Sequence, residues 1–78
     1  MMFNMELEAA KTPDDCWALC TDFGKNSRKA LAKMLGMIND QKEMGSLIYR
    51  FMTEWAFTAG QGQEFLDMLT ARVNELPE

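Results

Sequence analysis

The chain has 78 residues, 47% of them hydrophobic and 26% charged, which is the composition of one globular domain and excludes a disordered polypeptide. A formal charge of -4 weighs against general affinity for nucleic acid, and the absence of histidine removes the commonest general base. A chain this short buries only about 60% of the surface its unfolded form exposes, so self-association is the expected supplement to a thin core, with a dimer favoured.

The N-terminal "MMFNMELEAAK" carries acidic residues where a secretory signal is basic, and no apolar run is long enough for a bilayer, so the expected location is cytoplasmic, with no membrane contact. Within it, residues 3–9 admit two readings. Phe3, Met5 and Leu7 alternate with Asn4, Glu6 and Glu8 at the period of a strand, whereas Phe3, Leu7 and Ala10 fit one face of a helix.

The first clear helix opens at "TPDD" and is expected over 13–23. Thr12 suits the cap, Pro13 the first helical position, and Asp14 and Asp15 the positive end of the dipole. Cys16, Leu19, Cys20 and Phe23 form its stripe, with Trp17 at the edge and Gly24 placed to end it. A second helix starts near Asn26 or Ser27 and buries Leu31, Met34, Leu35 and Ile38; Asn39 and Asp40 can stop it, unless Gly36 breaks it earlier. The third, over 41–59, has the clearest pattern, with Met44, Leu47, Ile48, Phe51, Met52 and Trp55 at helical spacing. "AGQGQ" interrupts the chain around Gly60 and Gly62. A fourth helix, over 63–76, buries Phe65, Met68, Leu69, Val73 and Leu76 before Pro77. The expected fold is all-α: one domain over 1–78, a small bundle of three to four short amphipathic helices, with the N-terminal strand left open.

"RKALAKMLGM" resembles the first half of a helix-turn-helix, with Ala32, Leu35 and Gly36 at the familiar offsets. The packing positions of the second helix then fall on Lys42 and Gly45, and Asp40 and Glu43 occupy a surface that would face phosphate, so the resemblance stops at the turn. "FNMELE", the helix over 13–23 and "GKNSRKAL" together resemble the ribbon-helix-helix repressors across the first half of the chain. That resemblance implies a dimer whose paired strands read the major groove, with Asn4, Glu6 and Glu8 turned outward, and two carboxylates aimed at a polyanion oppose it. Lys25, Arg28, Lys29 and Lys33 hold half of the eight basic residues. This charged patch reads as a solvated face or a contact for an acidic partner ahead of a nucleic-acid grip.

Little in the chain supports chemistry. Cys16 and Cys20 supply two of the four ligands zinc takes, a set that only two chains together could complete. They read instead as small buried hydrophobes, although a thiol near a helix N-terminus can have a lowered pKa. "AGQGQ" lacks the strand and the third glycine of a nucleotide-binding loop. No catalytic residue, cofactor or metal is therefore expected, and the protein is read as a non-enzyme.

What remains is the apolar surplus. Phe57 projects nearly opposite the stripe of the third helix, Tyr49 lies between its faces, and Met37 sits off the stripe of the second. Eight methionines add adaptable apolar surface. The expected function is a small protein-interaction module, an adaptor, inhibitor or regulator of a larger assembly suited to phage or plasmid origin. Met37, Tyr49 and Phe57 carry the contact with another protein, and a dimeric DNA-binding regulator of ribbon-helix-helix type is the alternative.

Overall fold

The computed structural model describes residues 2–57, 60 and 62–77. Among them the chain is all-α, with five helices and no strand: α1 (Phe3–Ala9), α2 (Pro13–Ala18), α3 (Lys25–Gly36), α4 (Gln41–Glu54) and α5 (Gln63–Glu75). They fall into two compact units, Met1–Met37 with the first three helices and Ile38–Glu78 with the last two.

In the first unit, residues 3–9 take the helical alternative. Phe3 and Leu7 are half-buried and Ala10 is buried, as the helix face requires, whereas Met5 from the strand pattern is 61% exposed. A lone strand would leave its ladder unpaired; a helix satisfies its backbone internally. The strand on which the ribbon-helix-helix resemblance rests is a helix here, so Asn4, Glu6 and Glu8 do not lie along a ribbon.

A capping box opens α2. The Asp15 N–H donates to Thr12 Oγ1 at 3.1 Å, and the Thr12 N–H donates back to Asp15 Oδ2 at 3.2 Å. The helix stops at Ala18, well short of residue 23, and the reason is Ser27. The N–H groups of Thr21 and Asp22, which would continue the helical ladder, donate instead to Ser27 Oγ at 3.1 and 3.2 Å. Ser27 in turn donates to Asp22 Oδ1 at 2.9 Å, and that oxygen also accepts the Gly24 N–H at 2.8 Å. Gly24 therefore opens α3 as its N-cap rather than closing α2. A Cβ on Gly24 would lie 3.0 Å from Asp22 Oδ1, so a side chain there would push on the carboxylate that ties the loop. Ala30, Leu31, Met34 and Leu35 form the buried face of α3, which packs on α2 and its buried Cys16; the helix ends at Gly36.

In the second unit Asp40 caps α4, its carboxylate accepting the Glu43 N–H at 2.7 Å. Met44, Leu47 and Phe51 face a core shared with Phe65 and Leu69 of α5 and with Leu76. Phe51 and Phe65 meet edge to face at 5.9 Å, and Trp55 lies 5.5 Å from the first ring and 5.6 Å from the second. Trp55 achieves this from an extended backbone, so α4 ends at Glu54, before the expected residue 59. Gly60 and Gly62 then take positive φ of 83° and 73°, which a side chain would strain, and Gly62 starts α5. The far end is tied twice: Gln41 Nε2 donates to the carbonyls of Val73 and Leu76, and an Arg72 Nη donates to the Ile38 carbonyl at 2.7 Å.

Candidate functional site

Once the core of the second unit is filled, α4 still presents apolar surface. Tyr49 is 71% exposed and Met52 60% exposed. With Gly45 and the half-buried Ile48 they follow the i, i+3, i+4, i+7 spacing, so they form one stripe beside the Met44–Leu47–Phe51 face. A Cβ at Gly45 would meet nothing within 4 Å, so this part of the stripe is low and open. Lys42, Ser46, Arg50 and Thr53 mark the polar side, where Arg50 and Glu54 pair at 3.5 Å. The structure corrects one expectation here: Met52 belongs to the exposed stripe, not to the core. The spacing from Gly45 to Met52 carries that signal in the sequence, masked by the stronger core pattern that shares Ile48.

The three surplus residues do not fall on one helix. Tyr49 is on α4 as expected, but Phe57 lies beyond its end and is half-buried, so it does not project from a helix opposite the stripe. Met37 is the half-buried C-cap residue of α3, in the first unit.

The basic patch divides by role. Lys25 and Lys29 are exposed. Arg28 is half-buried and donates through Nη1 to the Phe23 carbonyl at 2.9 Å. Lys33 is half-buried too, its ammonium donating to the Leu7 and Glu8 carbonyls at the end of α1. Two of the four cations thus serve the fold of the first unit, leaving Lys25 and Lys29 as the outward charge of the patch.

The cysteines are buried, Cys16 completely, and both are free thiols. Burial pushes the Cys16 thiol up, and burial together with the neighbouring Cys16 pushes Cys20 up to about 12. A lowered pKa at the start of a helix is therefore not what these thiols experience. Cys20 Sγ donates to the Ser27 carbonyl at 3.6 Å. Both are held protonated at neutral pH, the state in which a thiol is a poor nucleophile. Among the described residues no three cysteine, aspartate or glutamate side chains gather as a metal site, and no helix is long and apolar enough to cross a membrane.

No protein-family model matches the chain, and neither does any curated protein or solved structure.

Proposed function

We propose that this protein is a non-enzymatic interaction module, an adaptor, inhibitor or regulator, that docks on another protein through the apolar stripe of α4. The observation that carries the reading is the pair Tyr49 and Met52, exposed side by side one turn apart. Aromatic and methionine side chains offer large contact area at interfaces, and methionine adapts its shape to the partner. Gly45 leaves room at the near end of the stripe for close approach. The protonated thiols and the absence of histidine fit a protein that binds rather than catalyses. Self-association as a dimer, which the thin core of so short a chain favours, accompanies this reading.

The test is affinity capture of the tagged protein from its native lysate, with and without nuclease, alongside a Tyr49→Ala, Met52→Ala double variant. A stoichiometric protein partner that survives nuclease and is lost with the double variant is the expected result. Recovery of nucleic acid, with its companions lost on nuclease treatment, would instead favour the DNA-binding alternative through Lys25 and Lys29. Sedimentation of the purified protein reports the dimer.

A further inference from the structure

The first unit has a concave feature that the α4 reading does not use. An open cleft of about 340 Å3 lies between α1 and α2, walled by Ala9, Ala10, Ala18 and Leu19 and carrying two carboxylates, Glu6 and Asp15. Its lining is mostly apolar, three alanines and Leu19, so the stem of a long side chain can lie along it. Asp15 is fixed in place: its Oδ2 accepts the N–H groups of Lys11 at 2.9 Å and Thr12 at 3.2 Å. The nearby cations Lys11 and Lys33 direct their ammonium groups to the α1 carbonyls, Lys11 to Glu8 and Lys33 to Leu7 and Glu8. Next to the cleft, the exposed Met2 and Met5 continue the α1 face of Glu6 and Ala9 at i, i+3, i+4, i+7 spacing.

We infer that the α1–α2 cleft receives an arginine side chain from a basic, partly apolar segment of a partner protein. The methylene stem lies over Ala9, Ala10, Ala18 and Leu19, the guanidinium reaches Glu6 and Asp15, and apolar neighbours of the arginine cover Met2 and Met5. Charge and shape both select this occupant. Two carboxylates above an alkyl floor match the amphipathic arginine, whose planar head offers several donors to carboxylate oxygens while its stem prefers apolar surface. An anionic segment would be repelled by the two carboxylates, and a purely apolar one would cover Glu6 without offering it a donor. The inference deepens the interaction-module reading and rests on it for the existence of a partner, but it concerns a different surface from the α4 stripe.

The cleft is tested without knowing the partner. The probe is the capped tripeptide acetyl-Leu-Arg-Leu-amide, titrated into the isotope-labelled protein and followed by amide chemical shifts. Its citrulline analogue has nearly the same shape and no charge. The arginine probe is expected to give saturable shifts at Glu6, Ala9, Ala10, Asp15, Ala18 and Leu19, and the citrulline probe to bind about fivefold more weakly, the scale of an exposed charge contact. Glu6→Gln is expected to narrow that difference, since Asp15 alone then faces the guanidinium. Should Glu6→Gln disturb α1, Ala18→Leu serves instead, since it fills the cleft from an exposed helical position and is expected to abolish both titrations. Equal binding of the two probes, or no saturable shift, would overturn the inference. So would shifts of these amides with protein concentration alone that vanish in Lys29→Glu, because the occupant would then be a second copy of this chain. Tyr49→Ala is expected to leave the titration unchanged, so failure of the cleft and failure of the α4 surface are read separately.

Discussion

The Lys33 ammonium donates to the carbonyl of Leu7, 26 residues away, and in doing so closes the C-terminus of α1 with a side chain of α3. A seven-residue helix with no buried residue and no side-chain N-cap has little stability of its own. Its last carbonyls need donors, and a cation there also complements the negative end of the dipole. Lys33→Met keeps the stem and removes the donor. We expect amide exchange over residues 5–10 to accelerate and the unit to lose about 1 kcal/mol, the scale of a partly exposed charged hydrogen bond. Unchanged protection of those amides would show that α1 is held by Ala10 and its apolar neighbours alone.

Ser27 is the one buried polar side chain in the described core, and its hydroxyl is fully used. Ser27→Ala strands two backbone donors and frees Asp22. We expect a loss of about 2 kcal/mol in urea denaturation, from the unsatisfied N–H groups. The same change should loosen the α2–α3 loop that carries Cys20, so thiol reagents should reach Cys20 faster than in the parent protein. A loss below about 0.5 kcal/mol, the range of ordinary surface substitutions, would mean that water replaces the hydroxyl at no cost.

Two carboxylates, Asp15 near the start of α2 and Asp22 in the α2–α3 loop, contribute to the acid limit of the first unit. The Lys11 N–H, then the Thr12 hydroxyl, hold the Asp15 carboxyl below its usual range; the Gly24 N–H, then the Ser27 hydroxyl, do the same for Asp22. A pKa depressed in the folded state gives stability that is complete above the unfolded value, about 3.9, and is lost as pH falls through the lower folded value. The first unit should therefore keep its stability from neutral pH down to about pH 5 and lose it progressively below about pH 4. Asp15→Asn with Asp22→Asn should flatten that acid limb while lowering stability at pH 7. A double variant with the parent's acid dependence would assign the limb to other carboxylates.

The sequence makes the regular parts of this fold legible and its irregular parts opaque. Leu31, Met34 and Leu35 recur at helical spacing and are all buried, because α3 presents a single face to its core. Ile38, which continues the spacing, is buried too but lies beyond the end of α3, in the second unit. Thr12 and Asp40 act as caps, local chemistry that reaches only three residues ahead. The loop between α2 and α3 is different. Gly24 looks like a helix terminator, and its actual place as a helix starter depends on Ser27, whose role appears only when it meets Asp22 in space. Residues 3–9 fit both periods, and the choice between them is made by the burial of Ala10 and by Lys33, neither a local property. The α1–α2 cleft is likewise invisible in a linear reading, since Glu6 and Asp15 belong to different helices.

The α4 stripe makes the sharpest contrast available on one helix. Tyr49 is 71% exposed, whereas Phe51, two residues on, is fully buried between Trp55 and Phe65. Alanine has the higher helix propensity, so Tyr49→Ala and Met52→Ala should each stay within about 0.5 kcal/mol of the parent in urea denaturation. Phe51→Ala empties a packed aromatic site and should cost about 3–5 kcal/mol, enough to unfold a unit of this size near room temperature. A loss above about 2 kcal/mol for Tyr49→Ala would mean that its ring is part of a core and would withdraw it from the docking surface. The expected outcome, loss of partner capture with stability intact, separates a surface kept for binding from one kept for folding.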